Sequence, residues 1–506
     1  MRSITLIRPP VVHLKRDFYG SIPGIPAGLA YLAASVRQAG AETSILDGYG
    51  LAPHRFYTFR DNYRARGLTP EEIASMLAGK DTVAGISVHC ATEHSMAISI
   101  SRAIKERSPG TPVIVGGYHA TFVPRDYIES GVDYVVMGEG ERRLPALLEF
   151  LEGGEGRPDI EGIASVHGVT ERENIYSVDL EKQPFAAVDL LPLQNYWELG
   201  YSHGPFAGRY MNILTSRGCP YTCSFCQAPA MCGGRWNARS AERVLEEVRF
   251  YVDEYDIHDF HIQDENFALD RKRVQDICSG LIREGIDITF CFPSGLKMET
   301  LDEELLDLMG RAGCRYFSLS PETGSRRVLD LMGKTADIDR VPGLVKKAVS
   351  IGTSTCAFFV TGYPGETEDD RRETGRYITR LARAGVDEVI MPILTPFPAT
   401  PAMKEPSLQG FTEYDQLCFS PVWRSDYREL DRFRKGVYAR FYAVRLLFHP
   451  LKVLGQLFNI VTGQAATKSE MTARRMFSDL YDRFIRKRLP REIPERSPSS
   501  QPVDPC

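Results

Sequence analysis

Thr215-Ser216-Arg217-Gly218-Cys219-Pro220-Tyr221-Thr222-Cys223-Ser224-Phe225-Cys226 is the stretch on which the reading of this chain turns. Its CxxxCxxC spacing lets one short loop wrap three thiolates around an iron–sulfur cube, leaving the fourth iron open to a small molecule. Two readings compete with this one. A zinc knuckle wants four ligands in two pairs, and spare thiols want no spacing at all. Cys219, Cys223 and Cys226 are therefore candidate metal ligands, for a [4Fe–4S] cluster. The run Asn212-Ile213-Leu214-Thr215 ahead of the loop reads as a strand.

With that strand before it and Phe225 just ahead of its last cysteine, the loop resembles that of the radical S-adenosylmethionine (radical SAM) superfamily. The resemblance implies that the open iron chelates the amino and carboxylate groups of S-adenosyl-L-methionine (SAM). One-electron reduction, from a donor such as flavodoxin or ferredoxin, would then cleave SAM to a 5′-deoxyadenosyl radical. It also implies a partial (β/α)6 barrel of the TIM type over residues 206–405, with the site at the carboxyl ends of the strands. The chain repeats strand and helix patterns in that order. Asp259–Gln263 ends in Asp264 and Glu265, which take the place of the family's contact to the SAM amino group. Thr289–Phe292 leads to Lys297, where many relatives carry arginine. Tyr316–Ser320 leads to Glu322, placed near the SAM ribose, and Ala357–Val360 to Gly362, in the loop on the adenine side. The sixth strand is Glu388–Leu394. Taken singly, each acid also reads as a helix cap or turn residue.

Residues 1–150 alternate strand-like and helical runs, the pattern of a doubly wound, flavodoxin-like parallel sheet. Thr69-Pro70-Glu71-Glu72 supplies an N-cap, a first-turn proline and a capping-box glutamate. Ser87, Gly116-Gly117 and Met137-Gly138-Glu139-Gly140-Glu141 fall at strand ends, where ligands of such sheets bind. The segment resembles the cobalamin-binding domain that precedes many radical SAM cores. Mutase-type relatives ligate cobalt through the histidine of DxHxxG, but Asp47-Gly48-Tyr49-Gly50-Leu51-Ala52 carries tyrosine there. The resemblance thus implies cobalamin without a lower histidine, with Ser87, Gly116, Gly117, Gly138, Glu139 and Gly140 as its contacts. His89 and His119 are candidates for corrin amides, against plain surface or core histidines. A flavodoxin-like module for another nucleotide, or for nothing, is the alternative.

Residues 151–205 read as a connector with a short hairpin near Ile163–His167. Residues 406–490 read as a helical cap whose stretch Arg432–Phe448 is basic and amphipathic. Three roles suit it: lining an apolar substrate pocket, touching a membrane surface, or packing on the barrel with its arginines in water. The Pro- and Ser-rich residues 491–506 read as a disordered tail. Cys232 reads as a protected thiol or, less simply, a substrate contact. Cys278, Cys291, Cys314 and Cys356 are too dispersed to suggest a second cluster.

The chain has 506 residues and a net charge of -5, which gives no basic footprint for nucleic acid. Its eleven cysteines, three of them in a metal-type spacing, point to a reducing, cytoplasmic setting. Its first ten residues look like a strand closed by prolines rather than a leader peptide, and no run looks long enough to span a bilayer. The expected function is that of a cobalamin-dependent radical SAM methyltransferase, moving methyl from SAM through methylcobalamin to an unactivated carbon of a small-molecule or lipid-like substrate. Cyclisation or rearrangement with the same cofactors is the runner-up, and a non-catalytic cobalamin-binding regulator is the reading from another class.

Overall fold

The computed structural model describes residues 2–15, 24–154, 156–171, 178–206 and 208–484. The expected tail at 491–506 lies outside them. Two α/β units share an interface in which helix 27–38 and the loop after strand 43–47 of the first pack on strand 210–213 and helix 241–255 of the second.

In the first, parallel strands lie in the spatial order 43–47, 4–8, 83–87, 113–116, 134–136. The order reverses between 4–8 and 83–87, the kind of switch point at which such sheets open a crevice for ligands. The hairpin of 163–165 and 168–169 then adds antiparallel strands to the edge at 134–136. This sheet therefore runs past residue 150, into the segment read as connector. A separate three-stranded antiparallel sheet, 11–14, 63–66 and 56–60, had no counterpart in the sequence reading. Thr69 caps its helix as anticipated. Its hydroxyl accepts from Glu72 N at 3.3 Å while the Glu72 carboxylate accepts from Thr69 N at 2.8 Å.

The second unit is a six-stranded parallel sheet in strict chain order, 210–213, 259–262, 289–296, 314–322, 354–359 and 388–390. Its helices start on residues whose side chains cap free backbone N–H groups: Ser240, Asp270, Asp302, Ser325 and Thr367. Two of them stop on glycines in the left-handed region, Gly285 (φ 66°) and Gly385 (φ 101°).

Tyr31, Ala30 and Tyr49 of the first unit share one apolar core with Tyr210, Met211 and Tyr251 of the second. Tyr31 also donates to buried Glu247 (2.7 Å), which pairs with Arg239. The interface is thus a continuous interior.

Residues 427–448, 450–462 and 468–484 form the C-terminal helices. Arg434 and Arg445 are buried here, on Asp431 and Asp387, rather than in water. No described helix is long and apolar enough to cross a membrane.

Candidate active site

The cysteine loop leaves the first barrel strand and returns as a ladder. Residues 216–218 pair antiparallel with 236–238 and close the excursion that carries Cys219, Cys223 and Cys226. Its middle is pinned at Ser224, which donates from N to Met332 O (2.9 Å) and shares a 2.6 Å hydrogen bond with Tyr363 Oη. Phe225 packs into the apolar cluster of Val328, Met332, Val360 and Tyr363. Cys232 is buried and its thiol donates to Cys219 O at 3.3 Å, so it braces the loop.

The three candidate ligands are half-buried, and burial raises their thiols, Cys226 up to about 12. Metal loading here must displace protons. Among the described residues no three thiol, imidazole or carboxylate groups converge as one ion would require. Three thiols on one short loop, close enough to act on one another electrostatically, suit a cube, where each meets a different iron.

Beside the loop, the neighbouring acids Asp264 and Glu265 have different fates. Asp264 is buried with both oxygens engaged: Oδ1 accepts from Thr215 N (2.7 Å), and Oδ2 from the Thr215 and Ser216 hydroxyls (both 2.6 Å). It thereby ties the strand end to the cysteine loop. Glu265 points to the mouth. Its Oε2 accepts from Gly218 N at 3.1 Å, crowding by protein pushes its carboxyl above the usual range, and its surface stays open.

Across the mouth, Glu322 sits at φ 63°, where a side chain other than glycine is strained. It forms a 2.6 Å ion pair with Lys334, which the sequence reading missed. Burial works against the Lys334 ammonium, but Glu322 outweighs it and holds the group above its usual range. Both influence the Cys223 thiol, so the pair stands beside the loop. Lys297 lies 3.8 Å from the Tyr221 ring centroid and donates to Thr335 O. Gly362 does not present an open face. Its N donates to Glu366 (2.6 Å), its O accepts from Arg424 (3.0 Å), and an added Cβ would come within 2.5 Å of Leu430. Its left-handed φ of 79° serves the contact with the C-terminal region.

On the opposite rim, Ser87, Gly116, Gly117 and Gly138 keep accessible surface at the strand ends, next to exposed His89. Glu139 and Gly140 are otherwise employed. Gly140 is where a Cβ would meet Leu32 at 3.1 Å, so helix packing accounts for it. Glu139 reaches across to Arg217 (2.9 Å), and Glu141 grips the same guanidinium at 2.6 Å. Burial alone would raise the Glu141 carboxyl, but Arg217 holds it below its usual range. The residue two positions before Cys219 is thus clamped by the first unit's last strand end.

Tyr49 is fully buried with the Arg8, Arg66 and Tyr196 side chains around it. His119 is likewise interior, 3.2 Å from His94 Nδ1 and packed on Tyr414, and burial lowers it to about 3. Neither faces the rim. The partly exposed backbone at Gly116 and Gly138 leaves room for a flat macrocycle to approach.

Inside the barrel the C-terminal helix adds Lys468. Its Nζ donates to Pro293 O and stands 3.3 Å from His203 Nε2, while both Glu388 oxygens cap the N–H groups of residues 468 and 469. Among the described residues Lys468 has no carboxylate within ion-pair distance. Gln263 and Ser294, hydrogen-bonded at 2.9 Å, keep surface open above it.

A barrel mouth carrying three cysteines, set against a doubly wound sheet with a glycine-lined rim, defines a two-cofactor radical enzyme. Residues 213–378 match the model of the Radical SAM superfamily, and residues 22–148 that of the B12 binding domain. An uncharacterized methyltransferase of Pyrococcus horikoshii is 30% identical over 86% of this chain and 88% of its own. The cytidylyl-2-hydroxyethylphosphonate methyltransferase of Streptomyces wedmorensis is 26% identical over 84% of this chain and 85% of its own. Among solved structures, the radical SAM methyltransferase TsrM of Kitasatospora setae, with cobalamin and a [4Fe–4S] cluster bound, shares the fold. Its TM-score is 0.63 at 18% identity, covering 88% of this chain and 89% of that one. The chain belongs to the cobalamin-dependent radical SAM methyltransferases.

Proposed function

We propose that this enzyme methylates an unactivated carbon of a small, polar-ended substrate held between the two rims and the barrel interior. The observation that carries the reading is the Arg217 clamp. By gripping the start of the cysteine loop from the first unit, Glu139 and Glu141 keep the two cofactor rims on one cleft. In this family SAM on the cluster supplies a hydrogen-abstracting radical and cobalamin supplies the methyl group.

The chain's own residues do the holding. Cys219, Cys223 and Cys226 would ligate the cluster. Glu265 and Glu322 would accept from the amino group and ribose of SAM, and the Lys334 ammonium would pass from Glu322 toward the SAM carboxylate. Ser87, Gly116, Gly117 and Gly138 would lie against the corrin. Lys468, His203, Gln263 and Ser294 would form the floor, where the Lys468 amine beside polar side chains favours a substrate end rich in hydrogen-bond acceptors.

The test is anaerobic turnover with SAM bearing a deuterated methyl group, a reductant and extract metabolites. Label entering a product, with S-adenosylhomocysteine and 5′-deoxyadenosine formed together, supports transfer. 5′-Deoxyadenosine without S-adenosylhomocysteine would move the reading to cyclisation or rearrangement.

A further inference from the structure

The helix Pro450–Thr462 is folded inside out. Lys452, Gln456 and Asn459 share one of its faces by their spacing, and that face is packed on protein. Lys452 Nζ pairs with Asp387 at 2.9 Å, Gln456 Oε1 accepts from Arg445 at 2.7 Å, and Asn459 donates to Glu470 at 3.4 Å. Leu451, Leu454, Phe458 and Val461 form the other face, 82%, 58%, 65% and 85% exposed, and no residue of the helix is buried. The stripe runs on into Leu447 and Phe448, 76% and 49% exposed, at the end of the preceding helix. A helix on a water-facing surface is normally turned the other way.

Next to this stripe lies a groove lined by Lys346, Arg376, Arg380, Arg383 and Arg440, with no carboxylate in its lining. All five cations are exposed, and among the described residues only Arg380 has an ion pair, to Asp339 at 3.8 Å. Groove and stripe are continuous. The Arg383 guanidinium lies 5.3 Å from the Phe448 ring centroid, and Arg440 and Leu447 are two turns apart on one helix face. Apolar side chains bordered by cations match a helix lying in the plane of a lipid headgroup layer. A second copy docked through this face by a two-fold would bring the two sets of cations together.

We propose that this face docks on a bilayer carrying anionic phospholipid, with the stripe at the acyl boundary and the groove on headgroup phosphates. It stands whatever the enzyme's reaction. The full chain is sedimented with vesicles of phosphatidylcholine alone and of phosphatidylcholine with a third of phosphatidylglycerol. Binding to the anionic vesicles is expected to be at least about tenfold tighter and to weaken with salt. Leu454→Gln with Phe458→Gln, both at exposed positions, should lose at least about tenfold on either vesicle. Arg376→Gln with Arg440→Gln should lose about fivefold per charge on the anionic vesicles alone.

Failure to bind either vesicle type would overturn the proposal. Variants that sediment like the parent would overturn it as well. So would self-association of the parent, seen by sedimentation velocity, that Phe458→Gln abolishes.

Discussion

The two rims that face each other across the cleft are built from opposite materials. The barrel rim is a ring of side chains: three thiols, a carboxyl raised by crowding at Glu265, and the Glu322–Lys334 pair on a strained backbone. The sheet rim is mostly backbone, at Ser87, Gly116, Gly117 and Gly138, and its nearby histidines and tyrosine are either solvent-facing or buried. A small, charged ligand must be recognised by directed charge-assisted hydrogen bonds. A broad macrocycle is recognised by the shape of what lets it approach. The contrast is therefore one of ligand size and charge, expressed in the choice between side chain and main chain.

The sharpest way to break this comparison is to remove one rim. Cys223→Ala should abolish cluster content, measured as iron and sulfide in anaerobically reconstituted protein, because two thiolates do not hold the cube. Cobalamin binding by the same protein should stay within about twofold of the parent, since Lys334, Glu322 and Lys297, which act on Cys223, all belong to the barrel. Loss of both cofactors together would mean that the rims are one site and not two.

Next in size is the clamp between them. Arg217→Met leaves Glu139 and Glu141 buried without their shared cation, and the side chains are only 14%, 4% and 9% exposed. Removing one partner of such a group costs about 3–5 kcal/mol. Denaturant unfolding should report that loss, and both cofactors should bind more weakly in the variant. A variant as stable as its parent would show that the clamp does not couple the units.

How much of this was readable beforehand follows the range of the interactions. Thr69 announces its helix because a cap is a contact three residues long. The barrel strands and the cysteine loop are readable for the same reason: their patterns are local. The Arg217 clamp was not, since its partners lie 76 and 78 residues away. Asp264 and Glu265 are chemically alike in sequence, and only the strand's alternation decides that one ties the loop while the other faces the mouth. The strand pattern at Phe56–Arg60 went unread because its pairing partners, not its composition, define that small sheet. That the stretch 451–461 is an apolar helix is legible in its residues, but apolar composition does not say which face meets the protein.

On the barrel rim, Glu322→Gln keeps shape and removes charge. SAM binding should weaken roughly ten- to a hundredfold, about 1.5–3 kcal/mol, with cluster content unchanged. Lys334→Met is the control. If Lys334 serves only to neutralise Glu322, its loss should spare SAM affinity; if it meets the SAM carboxylate, affinity falls in both variants. Equal SAM binding by the Glu322 variant and its parent would remove that residue from the contact set.

The smallest effect probes the sheet rim, where main chain is expected to do the recognising. A Cβ added at Gly116 would meet Val136 O at 3.4 Å and Val136 Cβ at 3.7 Å, ordinary contact distances that the protein itself tolerates. At neighbouring Gly117 the same methyl would come within 2.5 Å of Val88 O, on a backbone at φ 108°, so strain there would mask any effect on a ligand. Gly116→Ala is therefore the informative change. If the corrin lies against this backbone, the methyl lifts it, and cobalamin affinity should fall by about fivefold, roughly 1 kcal/mol, while thermal stability and SAM binding hold. If affinity is unchanged in a stable Gly116→Ala protein, the corrin does not rest on that strand end, and the division of labour between the two rims fails on the side of the sheet.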